Sequence, residues 1–233
     1  SELLSNPRKQ YLPPSSIEDL NKIRFFGEYL FRFGKNGIVE MYKNHLHVNT
    51  IDTKQHRPDK YASLEDKRFD KVFDVVYADK KLFISNDLGV VLLYFLSDEN
   101  AQNLVYLTQL ELTPFAHDIT DMALYNKHYL LIGGDEGLSL YDTQNLQMLF
   151  QNKNVIPQNR KTGLYQVGAF NDYLLFTRNL SSPNLAVYDI KSEKIVHDFQ
   201  GESEHINDFS VEEKVLYSLD DGHVYLWDLG KIR

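Results

Sequence analysis

The sequence predicts an all-β fold, a β-propeller of four-stranded antiparallel blades, of which about five are visible. Three observations predict it. A strand motif ending in an aromatic residue recurs along the chain, a second motif recurs in phase with it, and turns rich in Gly, Asn and Asp separate the strands. A repeat of about 40 to 50 residues made of short strands is typical of propeller blades.

The first motif is an alternating strand that ends in an aromatic residue. The aromatic positions are Tyr42, Tyr94, Tyr141, Tyr188 and Trp227, which are 52, 47, 47 and 39 residues apart. Asp follows the last three of them, and Phe95 takes that place after Tyr94. Strict alternation indicates strands with one buried face.

The second motif has the form apolar-x-Asp-apolar. It supplies Asp74, Asp121 and Asp208, and Gln166 replaces the Asp in a fourth copy. The aromatic residue follows these four positions after 20, 20, 19 and 22 residues, respectively. Two motifs that keep one phase over four copies indicate true repeats rather than chance similarity.

Two further strands complete each unit. Runs dense in β-branched and aromatic residues, such as Lys81–Ser85, lie between the two motifs. Turn residues such as Gly133–Gly137 follow them and supply the positive φ angles of tight hairpins. A fourth strand, such as Lys194–Phe199, follows the aromatic residue.

We expect residues 1–19 to form an N-terminal segment and residues 20–233 to form the propeller. The fifth blade stops soon after its third strand, and Arg8–Leu12 is predicted to supply the fourth strand and close the ring. Ile17–Ile23 is predicted to be a short helix or linker. Three interpretations of the blade number stay open: a true five-bladed ring, an open ring that a strand from a partner completes, or a chain that omits segments of a longer protein.

The last repeat resembles the WD-repeat family. It has His205 before the inner strand, Asp221 in the following turn, and Trp227-Asp228 at the end of the third strand. The resemblance covers about residues 20–233, with one Trp-Asp pair, no Gly-His pair, and Tyr in the Trp place of the other repeats. It implies a buried hydrogen-bond network through His205, Asp221 and Trp227, and a surface that binds other proteins.

Charge and composition narrow the classes of partner that the chain is expected to bind. With 25 Lys+Arg against 33 Asp+Glu, the formal net charge is −8, which disfavours direct binding of nucleic acid and association with an anionic membrane. The chain has no cysteine, so it has no disulfide or thiolate chemistry, and this fits an intracellular location in cytoplasm or nucleus. It also has no apolar run of about 18 residues that would cross a bilayer.

No cofactor or metal site is predicted. Gly133–Gly137 lacks the Lys-Ser/Thr of a phosphate-binding loop, and His45 and His47 share one strand face without a third ligand in the pattern. The recurrent acids leave one enzymatic alternative, a five-bladed glycoside hydrolase with carboxylates near the axis. Because the same residue recurs in several blades, a structural role is favoured over the unlike roles of catalysis. In that role, each Asp accepts hydrogen bonds from backbone N–H groups of a neighbouring loop. A propeller that binds a sugar or another small ligand is a further alternative.

Two long links are the predicted binding region. Residues 52–71 and 151–163 each join an outer strand to the next inner strand, so both lie on one face of the disc. Binding residues concentrate on loops of rigid scaffolds, and Arg57, Lys60, Arg160 and Lys161 are the predicted polar contacts. The sequence therefore predicts a non-catalytic protein–protein interaction scaffold or adaptor subunit of a multiprotein complex.

Overall fold

The structure is a computed structural model of the 233-residue chain. It describes residues 17, 19–58, 70–86, 89–97, 103–111, 119–134, 137–152, 155, 164–178, 185–199, 206, 208–220 and 222–232. The predicted closing strand Arg8–Leu12 lies outside these residues.

The described residues form nineteen strands in five sheets, which we call blades 1 to 5. Blade 1 consists of β1 (Leu20–Phe26), β2 (Tyr29–Gly34), β3 (Ile38–Lys43) and β4 (Leu46–Asp52). Blade 2 consists of β5 (Val72–Ala78), β6 (Lys81–Asn86), β7 (Val90–Leu96) and β8 (Leu104–Glu111). Blade 3 consists of β9 (Ile119–Tyr125), β10 (Tyr129–Gly134), β11 (Gly137–Asp142) and β12 (Met148–Asn152). Blade 4 consists of β13 (Leu164–Phe170), β14 (Tyr173–Arg178), β15 (Leu185–Asp189) and β16 (Lys194–Phe199). Blade 5 consists of β17 (Asp208–Glu212), β18 (Val215–Leu219) and β19 (Val224–Asp228).

Each blade is an antiparallel meander in which strands pair in chain order. Blades 1 to 4 have four strands, and the described part of blade 5 has three. The predicted all-β fold, a propeller of five visible blades, is confirmed. The innermost strand of each blade carries the apolar-x-Asp-apolar motif or its equivalent, and the third strand carries the aromatic residue.

The core consists of apolar clusters that each join two consecutive blades. In every blade the aromatic residue of the third strand lies opposite a leucine of the second strand. These leucines are Leu30, Leu82, Leu130, Leu174 and Leu216. In blades 2 to 5 the aromatic–leucine pair packs into the cluster shared with the preceding blade, so the repeat fixes how one blade docks on another.

The inner strands of blades 1 to 4 share one irregularity. A register shift places one extra residue in each inner strand, at Asn21, Phe73, Thr120 and Tyr165. A β-bulge of this kind bends the strand and redirects the side chain that follows it. The residues after the bulge are Lys22, Asp74, Asp121 and Gln166, and the shared bulge makes them structurally equivalent.

The prediction of a short helix or linker over Ile17–Ile23 was wrong for its second half. β1 begins at Leu20, so Leu20–Ile23 belong to the inner strand of blade 1. The polar residues Asn21 and Lys22 obscure the strand pattern in the sequence, because Asn21 is the bulge residue and Lys22 replaces the recurrent acid. None of the helices in the part of the chain that the structure describes is long and apolar enough to span a membrane.

Candidate functional site

The inner strands of all five blades line one cavity at the propeller axis. Its volume is about 440 Å³, and Arg24, Asp121, Gln166 and Ser210 supply polar side chains to its lining. The axis is where the sequence places the recurrent acids, so their surroundings decide between a chemical and a structural role.

Asp74 joins the inner strands of blades 2 and 3. Its carboxylate is fully buried, and the Met122 N–H of the next inner strand donates to its Oδ2 at 2.7 Å. The Val75 N–H donates to Oδ1 at 2.9 Å. A buried carboxylate that accepts main-chain N–H groups satisfies donors that would otherwise be costly to bury.

Asp121 and Gln166 repeat this bond between the following blades. The Val167 N–H of β13 donates to Asp121 Oδ2 at 2.9 Å, and the Phe209 N–H of β17 donates to Gln166 Oε1 at 3.0 Å. The donor in each case is the residue after the equivalent acid or amide, on the neighbouring strand. Gln166 performs the same task as the acids because its amide oxygen is also an acceptor.

Blade 1 departs from the pattern. Lys22 stands where the other blades have an acceptor, and a lysine ammonium can only donate. Its Nζ lies 2.5 Å from Oδ1 of Asp121, a residue whose side chain is 1% exposed. Because Lys22 cannot accept from Val75, the Val75 N–H is satisfied by Asp74 of its own blade.

Arg24 completes the charge balance at the axis. Its Nε and Nη2 donate to the two oxygens of Asp74 at 2.8 and 2.6 Å, and Nη2 also lies 2.5 Å from Asp121 Oδ1. Two buried carboxylates therefore face two cations from β1. Sequence reasoning missed Lys22 and Arg24, although counting back 20 residues from Tyr42, the usual interval, arrives at Lys22.

The two carboxyl groups have pKa values displaced in opposite directions. Burial raises the pKa of Asp74, but hydrogen bonding and attraction from Arg24 and Lys22 outweigh it and leave the pKa below its usual range. Burial and the charge of Asp74 raise the pKa of Asp121 to about 7. Burial alone would lower the pKa of Arg24, but its bonds to both acids raise it overall.

Asp208 has different surroundings from the other two acids. The residue is exposed, and its Oδ1 accepts from Nε2 of Gln166 in the preceding blade. The structure therefore gives the three acids of the hydrolase alternative unlike environments, and only Asp74 and Asp121 face each other.

Part of the network that the WD-repeat resemblance implies lies within the described residues. Trp227 Nε1 donates to Ser218 Oγ at 2.9 Å, while His205 and Asp221 lie outside the described residues. The neighbouring Asp220 is buried and holds the turn, since its carboxylate accepts from the Gly222 and His223 N–H groups and from the Tyr225 hydroxyl at 3.1, 2.9 and 2.7 Å.

The tyrosines at the equivalent position find different partners. The Tyr188 hydroxyl accepts from Asn152 Nδ2 at 2.9 Å, and the Tyr42 hydroxyl donates to Glu40 at 2.9 Å. The buried Tyr94 hydroxyl has no hydrogen-bond partner among the residues that the structure describes, and burial raises the pKa of Tyr94. The Tyr141 side chain is buried, which raises the pKa of its hydroxyl.

A groove of about 480 Å³ lies between the outer strands of blades 1 and 2, beside Tyr94. Asp52, His56 and Tyr106 line it, and the His56 ring stacks on the Tyr106 ring with 3.8 Å between centroids. Burial lowers the pKa of His56, so this ring is a neutral, flat contact surface at pH 7. The groove begins where the first long link leaves blade 1.

The four predicted contact residues all belong to the two long links. Arg57 follows the 3₁₀ turn Thr53–His56 and forms an ion pair with Asp70, which ties the two ends of the first link together. Lys60, Arg160 and Lys161 lie outside the described residues. Over the described ranges, which include His45 and His47, no cluster of three His, Asp or Glu side chains could hold a metal ion.

Comparisons with known proteins show similarity of fold. No family model matches the chain, and no curated protein matches its sequence. Among solved structures, the WD40 repeats of RRP9 match with 14% identity and a TM-score of 0.72, over 95% of this chain and 63% of that chain. The structure of U3-55K matches with 15% identity and a TM-score of 0.72, over 95% and 64% of the two chains. The computationally designed Ika8 protein matches with 13% identity and a TM-score of 0.62, over 90% and 58%. The chain thus spans less than two thirds of the length of these structures.

Proposed function

We propose that this chain, which has the fold of WD-repeat β-propellers, is a non-catalytic scaffold that binds other proteins as a subunit of a multiprotein complex in the cytoplasm or nucleus. The observation that carries the proposal is that the axial carboxylates are buried and their oxygens are already bonded. Asp74 and Asp121 are at most 1% exposed, and main-chain N–H groups together with Lys22 and Arg24 occupy their oxygens.

The displaced pKa values of the two acids are the feature that most resembles an active site. A pair of carboxyl groups with separated pKa values is typical of acid–base catalysts. Structural ion-pair networks produce the same separation, and here burial together with the neighbouring charges accounts for it. A substrate would have to displace Lys22 and Arg24 to reach either acid, which favours binding over catalysis.

The face that carries the two links is the proposed partner surface. In a four-stranded meander, the link to the next blade and the turn between the second and third strands lie on one face of the disc. The turns after the first and third strands lie on the opposite face. We place the contacts of Arg57, Lys60, Arg160 and Lys161 on this link face, where the ion pair of Arg57 with Asp70 fixes the base of the first link.

Charge reversal on the link face tests this proposal. We expect Lys60→Glu, Arg160→Glu and Lys161→Glu together to reduce the recovery of co-purifying proteins at least about tenfold, since disrupting a few central contacts removes most of a binding free energy. The measurement is quantitative mass spectrometry of the tagged protein purified from its own cells.

A matched control reverses three lysines on the opposite face. Lys80 and Lys127 lie in the turns after the first strands of blades 2 and 3, and Lys194 begins the fourth strand of blade 4, directly after the turn that follows the third strand. All three are exposed, and reversing them to Glu changes the net charge by the same amount as the link-face variant. We expect this variant to retain its partners. Recovery of the unmodified protein without any stable partner, or equal losses in both variants, would contradict the proposal. Turnover of a glycoside that Asp121→Asn abolishes would favour the hydrolase instead.

A further inference from the structure

The groove between blades 1 and 2 is lined by three aromatic rings that contact one another. The His56 ring stacks on the Tyr106 ring with 3.8 Å between centroids. Both of these rings meet the Tyr94 ring edge to face, with 5.5 Å between centroids in each pair. The volume of about 480 Å³ is within the range of sites that hold a small ligand or a large side chain.

Two positions of the repeat explain why this groove exists. At the boundary between blades 3 and 4, the Phe150 ring lies 5.7 Å from the Tyr188 ring, and Asn152 donates to the Tyr188 hydroxyl at 2.9 Å. The strand registers place Asn49 and Ile51 of blade 1 opposite the same positions of the third strand. Asn49 is smaller than phenylalanine and leaves space, and the Ile51 side chain has no donor for a tyrosine hydroxyl.

The Tyr94 hydroxyl shows the effect of that second replacement. Tyr94 is 4% exposed and lines the groove, and within the described ranges its hydroxyl makes no hydrogen bond. Buried polar groups are nearly always satisfied, because burying one without a partner costs free energy. A hydroxyl both donates and accepts, so a polar group that enters the groove beside Tyr94 would recover this missing bond.

The charge of the groove determines which polar group fits. Among the described residues that line it, Asp52 is the one with a full charge at pH 7, since burial lowers the pKa of His56 and leaves that ring neutral. Asp52 Oδ1 accepts from the Lys54 N–H at 3.1 Å and lies 3.9 Å from Lys54 Nζ. Over the described part of the chain, Oδ2 of Asp52 has no partner. A carboxylate with one unused oxygen beside neutral aromatic rings favours a cation.

We call the surface formed by Asp52, His56, Tyr94 and Tyr106 the aromatic groove, and we infer that it binds the guanidinium group of an arginine side chain from another polypeptide. A guanidinium is a flat cation that lies against aromatic rings and donates several N–H bonds in fixed directions, to a carboxylate and to a hydroxyl. This inference rests on the proposed scaffold function and names one contact of a partner. The aromatic groove adjoins the link face, because His56 ends the 3₁₀ turn with which the first long link begins.

NMR titration of the purified, isotope-labelled protein with capped tripeptides tests the inference. The peptides have arginine, citrulline or lysine between two glycines, and citrulline has the shape of arginine without its charge. We expect the arginine peptide to shift the amide signals of Thr50, His56 and Tyr106 with a dissociation constant on the order of 1–10 mM, as fits a single side chain. The citrulline peptide should bind at least about tenfold more weakly.

Three results of the titration would overturn the inference. The first is the absence of shifts at these amides at about 20 mM arginine peptide, several times the expected dissociation constant. The second is equal binding of the citrulline peptide, which would show that charge plays no part. The third is equal binding of the lysine peptide, which would show that the site does not recognise a flat cation.

Asp52→Asn tests the carboxylate without removing the turn that it begins. Asparagine keeps the oxygen that accepts from the Lys54 N–H and is a favourable residue at the start of a helical turn. We expect this variant to bind the arginine peptide about tenfold more weakly than the unmodified protein and the citrulline peptide equally well. Unchanged binding of the arginine peptide would contradict the inference.

Tyr94→Phe tests the hydroxyl, and Tyr188→Phe is its matched control. We expect Tyr94→Phe to weaken binding of the arginine peptide about threefold to tenfold, the effect of one hydrogen bond, without lowering the thermal midpoint. Tyr188→Phe loses the bond from Asn152, so its midpoint should fall by about 2–4 °C while binding is unchanged. An equal fall of the midpoint in both variants would show that the Tyr94 hydroxyl is already bonded, and would overturn the inference.

The titration and the charge reversal on the link face can fail separately. The titration uses the purified chain alone, so its result does not depend on whether partners co-purify. If the arginine peptide does not bind while the link-face reversal removes partners, the inference fails and the scaffold function stands. If the arginine peptide binds while the protein is recovered without any partner, the guanidinium site stands and the scaffold function fails.

Discussion

Asp74→Ala is expected to lower the free energy of unfolding by about 3–5 kcal/mol, the usual cost of removing one partner of a buried ion pair. The substitution leaves Arg24 without its two-point contact and leaves the Met122 N–H without an acceptor. It also removes the buried carboxylate that joins the inner strands of blades 2 and 3. Equilibrium urea unfolding measures the loss.

Asp79→Ala is the matched control for Asp74→Ala. Asp79 is an exposed carboxylate that pairs with His128 at 3.2 Å, and exposed pairs contribute about 0–1 kcal/mol. An Asp74→Ala variant as stable as Asp79→Ala would show that the axial carboxylates do not hold the blades together.

Leu140→Ala is expected to lower the free energy of unfolding by about 2–5 kcal/mol, as truncation of a buried leucine usually does. Leu140 lies 5% exposed in the cluster between blades 3 and 4. Leu226 is the equivalent leucine of blade 5 and is 66% exposed. We expect Leu226→Ala to change the free energy of unfolding by less than about 0.5 kcal/mol, because it removes little buried surface.

The comparison of these two leucines tests whether Leu226 is exposed in the purified chain, as the structure shows. Urea unfolding of both variants under one set of conditions is sufficient. If Leu226→Ala were as destabilising as Leu140→Ala, this face of blade 5 would be covered in solution, which would contradict the exposure of Leu226.

The repeat made most of the fold predictable from the sequence. The recurrent aromatic and the recurrent acid or amide lie on the third and first strands of each blade, as their fixed spacing indicated. Four blades also carry the short second strands that the runs of β-branched and aromatic residues predicted. The period of the repeat and the fixed spacing between its two motifs are sufficient for such predictions, because each blade buries the same positions against its neighbour.

The axial network was only partly predictable. The repetition of Asp74 and Asp121 indicated main-chain hydrogen bonds, but the expected donors were in a neighbouring loop, whereas the structure places them on the next inner strand. The sequence pattern did not indicate Lys22 and Arg24, because these cations do not match the residues at the equivalent positions of the other repeats. A charge that replaces an acceptor becomes meaningful only when the fold brings it beside the acids of other blades.

The exposure of Val224 and Leu226 could not be predicted from the sequence pattern either. Val224 and Leu226 alternate as regularly as their buried equivalents, so the pattern predicts a buried face for blade 5 as for the others. Exposure depends on whether another sheet follows in space, and that is a property of the array rather than of any one repeat.

Amide hydrogen exchange resolved by residue tests the central claim, that the axial acids join blades rather than perform chemistry. Asp74 accepts from the Met122 N–H and Asp121 from the Val167 N–H. We predict that exchange at Met122 accelerates more than exchange at Val167 in Asp74→Ala, and that the order reverses in Asp121→Ala. Equal acceleration of both amides in both variants, or no change in either, would contradict the claim.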